Sequence, residues 1–269
     1  MIYRLDTFSA LEAVPAERSS SRMILMLTDS LDYRQLCGCR DGGPYTVCIS
    51  RSLCREWKMA VCDFAGFCEA SGKDAVLVLP EEDWASARQA YGGHTYCDPF
   101  LREDEPSVLI HSTPMENWHA IRRDGMLKSW NRLRRERSGW EERPIGRELG
   151  DPPDFSDYVM LGSGVTGEIV VNSKEKGIVV MDENAEYLTG ARLYFNAEKI
   201  ARAGLLVRDG CHLKVRDALP LEPYLLWMAT WETAGLAGRI STPRRFAEKA
   251  DRQFYLAHPG CLRETMLQS

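Results

Sequence analysis

The sequence predicts an α+β fold preceded by an N-terminal α/β module or extension, and two observations predict it. From residue 107 onward the chain offers several short strand-like runs and few, clustered helices. That pattern suits α+β better than a doubly wound parallel sheet. Ahead of it, a continuous apolar run precedes a well-signalled helix, as in a strand buried on both faces.

Taken in order, MIYRL (1–5) and YTVCISR (45–51) read as strands. DAVLVLP (74–80) is the continuous apolar run. EEDWASARQAYGG (81–93) is the helix, with acidic residues in its first turn and glycines at its end. DPFLREDEP (98–106) is charged and bounded by prolines, and it sets the expected boundary between a module at 1–105 and a second domain at 106–269.

In the second domain SVLIH (107–111) reads as a strand. PMENWHAIRRDG (114–125) reads as a helix, with Pro114 at its start and Gly125 just past its end. Trp118 and Ile121, with Met115 and Arg122, share one face of it. A basic loop follows. DYVMLG (157–162), GEIVVN (167–172), GIVVMD (177–182) and ARLYF (191–195) read as four short strands, with NSKEKG (172–177) as a hairpin candidate. NAEKIARAG (196–204) is a short helix between an Asn196 cap and a Gly204 stop. LLVR (205–208) and HLKVR (212–216) are strands joined by Asp209-Gly210-Cys211. The tail carries LPLEPYLLWMATW (219–231) and a last amphipathic helix, TPRRFAEKADRQFYL (242–256).

Composition bounds the function classes. The net charge of −5 over 269 residues excludes a chain that is basic throughout, so any anion site is a local patch. No window of about 18 apolar residues occurs and no export signal is read at the start, so the expectation is a cytoplasmic protein with reduced thiols. Nine cysteines is a high count, and six of them lie between Cys37 and Cys68 without a CxxC pair. A zinc site on Cys37, Cys39, Cys48 and Cys54, with His94 and Cys97, is one reading. The uneven spacing favours the other, free thiols used as small core residues, so no metal is expected.

No P-loop, HExxH or GxSxG occurs, and no GxGxxG is read after a strand. Two features carry chemistry. His111, Ser112 and Thr113 stand where a strand runs out, the place where mixed folds put ligands. The segment from Arg122 to Arg147 holds nine Lys or Arg residues around Trp130 and Trp140, a local reversal of sign in an acidic chain. Its arginines, Arg132, Arg134 and Arg135 among them, offer donor forks that fit phosphate, and an indole stacks on bases. The same charges equally describe a solvated loop.

SVLIHSTPMENWHAIRRDGML (107–127) resembles the first core motif of the ADP-ribosyltransferase superfamily, through His111-Ser112-Thr113, Ile121 and Gly125-Met126-Leu127. RLYFNAEKIARAGLLVRDGCHLKVRDALPLEPYL (192–225) resembles the C-terminal core of its tRNA 2′-phosphotransferase branch, through Arg192, Gly204, Asp209-Gly210, the strand at His212 to Val215 and Pro223-Tyr224-Leu225. The resemblance spans roughly residues 107 to 230 and implies a split β-sheet core with NAD as substrate. It implies that His111 holds the nicotinamide-side ribose, with Ser112 and Thr113 on the nicotinamide amide. Arg192, Arg208 and one of Arg132, Arg134 or Arg135 would steer a phosphate.

The second motif of that branch, Arg-x-His-x-His, is missing. Tyr158 stands there instead, which looks more like the His-Tyr-Glu branch, whose tyrosine stacks on nicotinamide. Glu168 is then the candidate carboxylate, with Asp182 and Glu183 as alternatives. The expected activity is ADP-ribosyl transfer to RNA or DNA, at a phosphate or base. The alternatives are RNA 2′-phosphate removal, protein ADP-ribosylation and nucleotide or RNA binding without turnover. A toxin or phage-defence role would fit such an enzyme.

Overall fold

The computed structural model describes residues 1–7, 22–38, 44–137, 145–146, 151–187, 190–237 and 239–261. Cys39, Trp140, Arg143 and Arg147 lie outside them. The fold is mixed α+β with several small sheets. The chain divides into two units: Met1–Asp98 with Gly146–Phe155 and Val207–Leu213, and Pro99–Ile145 with Ser156–Leu206 and Lys214–Ser269. The expected single cut at 105/106 is therefore replaced by a break at 98/99 and two later returns of the chain. Among the described residues no helix is long and apolar enough to cross a membrane.

The first unit is built on β1 (Ile2–Leu5), β2 (Arg22–Thr28), β3 (Gln35–Gly38), β4 (Tyr45–Ser50) and β5 (Asp74–Val78), with α1 (Trp57–Ala70) and α2 (Glu81–Tyr91). The sheet order is β1-β5-β2-β4-β3. All neighbours are parallel except β3, which runs antiparallel to β4. Every residue of β5 is buried, as its unbroken apolar run predicts. α1 buries Val61, Phe64, Ala65 and Cys68, one helical stripe. Cys54, Cys62 and Cys68 are buried free thiols.

The second unit contains β6 (Val108–Thr113), α3 (Met115–Asp124), β7 (Met126–Lys128), α4 (Trp130–Glu136), β8 (Tyr158–Leu161), α5 (Thr166–Lys176), β9 (Ala191–Asn196) and α6 (Ala197–Arg202). β10 (Leu206–Arg208) and β11 (Leu213–Arg216) are divided between the units, and β12 (Ala218–Pro220), β13 (Leu225–Ala229) and α7 (Pro243–Ala257) belong to the second. β13-β9-β6 form an antiparallel sheet, and β12 pairs with β7. α7 starts on Thr242, whose side chain accepts from Arg245 N at 3.1 Å, with Pro243 as its first residue. Its buried Ala250 and Phe254 pack with Val108, Ile110, Tyr194 and Ala229 of the sheet. The Phe254 ring stacks on Tyr194 at 4.3 Å.

Two strand expectations and one loop expectation are corrected. GEIVVN lies within α5, because Glu168, Val171 and Asn172 share a buried helical face and Gly177 closes the helix at φ 64°. GIVVMD makes no strand. The start of the basic segment is helical, since the Ser129 side chain caps α4 through Arg132 N at 3.2 Å.

Candidate functional site

β6 is apolar and buried through Val108, Leu109 and Ile110, then turns polar, and Pro114 ends it where α3 begins. It pairs with β9 so that His111 faces Leu193 and Ser112 faces Arg192. Successive side chains leave a strand on opposite faces, and paired residues share a face. His111 and Thr113 therefore stand on one face, and Ser112, Arg192 and Tyr194 on the other. The three neighbours that were expected to act together are divided by the pleat.

On the Ser112 face lies a buried ionic brace. Glu168 accepts from Ser112 Oγ at 2.5 Å through Oε1, and from Arg192 Nη1 at 2.7 Å through Oε2. Arg192 also grips Asp251 of α7, with Nε to Oδ1 at 2.9 Å and Nη2 to Oδ2 at 3.0 Å. Its Nη1 donates to Gly164 O at 3.1 Å, and Tyr194 Oη donates to Asp251 Oδ1 at 2.8 Å. The Glu168 and Arg192 side chains are both 0% exposed. Burial pushes the Glu168 carboxyl up, against the pull of Arg192 and Ser112. Burial also works against the Arg192 charge, but Glu168 and Asp251 outweigh it and raise the guanidinium further.

Four of the expected roles change with this geometry. Glu168 and Arg192 spend their polar atoms on each other and on protein partners, so they hold β6, β9, α5 and α7 together rather than reach a substrate. Ser112 belongs to the same brace. Arg208 is a residue of the first unit, where it is buried and donates from Nη1 to Asp98 O at 3.3 Å. Of the alternative carboxylates, Glu183 pairs with Arg244, and Asp182 accepts from Asn184 N at 2.9 Å within its own turn.

On the other face, His111 is partly buried and its Nδ1 lies 3.1 Å from Met160 O. Burial lowers its pKa, against the pull of that carbonyl. A neutral ring facing a carbonyl carries its proton on Nδ1 and leaves Nε2 as an acceptor. Tyr158 lies two residues before Met160 on β8, with Lys214 Nζ 4.6 Å from its ring centroid.

The basic helix α4 is largely neutralised inside the second unit. Arg132 bonds Glu136 at 2.8 Å and Asp217 at 3.0 Å, and Arg135 bonds Asp217 at 2.5 Å. Lys128 bonds Asp124 at 2.9 Å and Glu136 at 2.6 Å. Arg134 is exposed and has no ion-pair partner among the described residues. Lys174 Nζ lies 4.8 Å from the Trp130 ring centroid, so a cation already occupies one face of that indole.

Sequence reasoning missed Asp251, whose signal was a charge four residues after Ala247 and three before Phe254, on the buried stripe of α7. The reading that no GxGxxG follows a strand is corrected: Gly162-Ser163-Gly164-Val165-Thr166-Gly167 has that spacing between β8 and α5. β8 and β9 lie in different sheets, so the parallel βαβ context of a dinucleotide fingerprint is absent here. Only Gly167 of the three is closely packed, since a Cβ on Gly162 or Gly164 would meet nothing within 4 Å. Gly162 bridges to Ile110, Gly164 O meets Arg192, and a Cβ on Gly167 would stand 2.7 Å from Ser112 Oγ.

A second cluster lies wholly within the first unit. Cys37 Sγ on β3 is 3.5 Å from His212 Nε2, and Cys211 Sγ completes a trio whose ligand atoms all lie within 4.8 Å of one another. Cys211 draws the Cys37 thiol down to about 4, against burial and with help from His212. Burial opposes the His212 charge, yet Asp209 and Cys37 raise it to about 10. The cysteine grouping expected from sequence is corrected. Cys48 pairs with Leu36 and Cys37 with Val47, so Cys37 and Cys48 leave their sheet on opposite faces. Cys54 is buried with its thiol beside Arg34, and His94 is held by Asp98 at 2.8 Å.

Comparison with known protein families, with curated proteins and with solved structures found no match.

Proposed function

We propose that the second unit is an NAD-dependent ADP-ribosyltransferase with a split-sheet core, acting on RNA or DNA at a phosphate or base. On this reading it works in a reducing, cytoplasmic compartment. The observation that carries it is the anchored His111 ring. With Nδ1–H given to Met160 O, Nε2 offers a fixed lone pair at the end of β6, suited to a ribose hydroxyl. Breaking the nicotinamide–ribose bond builds oxocarbenium character on that sugar. A site that holds the sugar rigidly lets an acceptor attack from the opposite face. The brace beneath β6 supplies the rigidity. Thr113 shares the face of His111, and Tyr158, two residues from its carbonyl anchor, would stack on nicotinamide. Arg134, exposed and without an ion-pair partner among the described residues, is the cation this reading assigns to a nucleic-acid phosphate.

The enclosure of Glu168 favours one further reading, a fold that binds nucleotide without turning it over. One experiment addresses both. NAD is titrated by calorimetry into wild type and His111→Ala, and nicotinamide release is followed with and without RNA and DNA. NAD binding that weakens at least about tenfold in His111→Ala, with release stimulated by one nucleic acid, is the expected result; tenfold corresponds to about 1.4 kcal/mol, within the range of one hydrogen bond to a buried partner. Binding without release in wild type would select the binder. No binding at millimolar NAD would overturn both. Because burial lowers the His111 pKa, binding should persist below the ordinary histidine value of about 6.5 and fail only as Nε2 gains its proton.

A further inference from the structure

Cys37 and His212 are 175 positions apart in the chain, yet they meet in the first unit with a geometry that has a chemical reading. A tetrahedral Zn²⁺ with bonds of about 2.3 Å to sulfur and about 2.0–2.1 Å to nitrogen sets the two ligand atoms roughly 3.6 Å apart. The Cys37 Sγ to His212 Nε2 distance of 3.5 Å is that tetrahedral edge. Cys211 Sγ stands at the third corner.

The surroundings fix these ligands. Asp209 Oδ2 lies 3.3 Å from His212 Nδ1, the carboxylate–histidine pairing that keeps the proton on Nδ1 and turns Nε2 toward a metal. Asp209 Oδ1 accepts from Cys211 N at 3.0 Å and His212 N at 2.7 Å, which sets the turn carrying both ligands. Gly210 sits at φ 85°, and a Cβ there would lie 2.5 Å from Ala60 O, so the turn can press against α1 only as glycine. Gln35 Nε2 donates to Gly210 O at 3.0 Å and ties that turn to the strand holding Cys37. The Phe155 ring meets His212 edge-on at 5.7 Å and forms an apolar wall.

We propose that Cys37, Cys211 and His212 bind one Zn²⁺, with Asp209 orienting the histidine. Two sulfurs and an imidazole suit zinc better than magnesium or calcium. Binding releases two H⁺, one held by the Cys37–His212 pair and one from the Cys211 thiol, so the trio meets Zn²⁺ as two thiolates and a neutral imidazole. The fourth coordination position falls to water. The ion would clip Val207–Leu213 onto β3 and hold a long-range closure of the chain. This inference is independent of NAD chemistry in the second unit.

Metal analysis of the full chain, purified without chelator, tests it. About one zinc per chain is expected. Replacement by Co²⁺ should give a thiolate-to-cobalt absorption band in the near ultraviolet, and chelation should lower the Tm of wild type. Cys37→Ser and Cys211→Ser should each lose the band, whereas Cys97→Ser should keep it. Wild type with no zinc and no cobalt band would overturn the proposal, whatever the variants do. So would a Cys37–Cys211 disulfide as the native state, or a band that survives in the double Cys37→Ser/Cys211→Ser variant. An alkylation rate at Cys37 that Zn²⁺ leaves unchanged would mark it as a free thiolate paired with His212 and would likewise overturn it.

Discussion

Truncating Glu168 to alanine leaves the Arg192 guanidinium buried with only one of its two carboxylates. Breaking a buried ion pair from one side typically costs about 3–5 kcal/mol, because the stranded charge has lost its water and its partner. Glu168→Gln keeps the shape and an acceptor for Nη1, and Ser112 Oγ can turn to accept from the new amide. Its cost should be nearer about 1.5–3 kcal/mol, the range of hydrogen bonds to charged groups. Urea unfolding of both variants measures this, and a loss below about 1 kcal/mol in Glu168→Ala would show that the pair does not brace the sheet. Glu168 and Arg192 were visible in the sequence as charged residues on apolar runs. Their partnership was not, because it depends on the β6–β9 register and on Asp251 arriving from α7, 59 positions beyond Arg192.

At the scale of elements, the helices that escaped sequence reading did so for different local reasons. α5 carries Ile169-Val170-Val171, a β-branched run that reads locally as strand. What decides its form is the buried stripe of Glu168, Val171 and Asn172 and the left-handed Gly177, which are tertiary facts. α1 had no sequence reading at all: its buried residues, Trp57, Val61, Cys62, Asp63, Phe64, Ala65, Phe67 and Cys68, spread around the helix and leave no clear polar face to mark its period. By contrast α2, α3, α6 and α7 were legible from acidic first turns, proline starts and glycine stops. The opening turn of α5 gives a signed prediction. Gly to Ala inside a helix usually stabilises by about 1 kcal/mol. At Gly167 the new methyl would stand 2.7 Å from Ser112 Oγ and 2.9 Å from Ser112 Cβ. Overpacking of that kind costs about 1–3 kcal/mol. Gly167→Ala should therefore lower the Tm, and a raised Tm would mean that α5 does not seat against β6.

For the whole molecule, the charged, proline-bounded stretch at 98–106 suggested one boundary at 105/106, whereas the compact units part at 98/99 and the chain returns twice to the first. Linear pattern could not show that 146–155 and 207–213 return to the first unit, since each is too short to carry a periodicity. Their attachment is specific. Arg208 N donates to Tyr96 O at 2.9 Å, Lys73 Nζ donates to Asp154 at 2.6 Å, and Gln35 donates to Gly210 O at 3.0 Å. A cut after Asp98 removes one side of all three. It also leaves Arg208, 2% exposed in the full chain, without its carbonyl at Asp98. Stranded buried polar groups of this kind cost about 1–3 kcal/mol each, more when charged, against a total stability of only about 5–15 kcal/mol. Residues 99–269 expressed alone should thus be poorly soluble or melt well below the full chain. The decisive comparison is thermal unfolding and limited proteolysis of the two proteins side by side. A soluble 99–269 fragment with the cooperative transition and Tm of the full chain would show that the second unit folds without the first, and that the two returning segments contribute nothing to it.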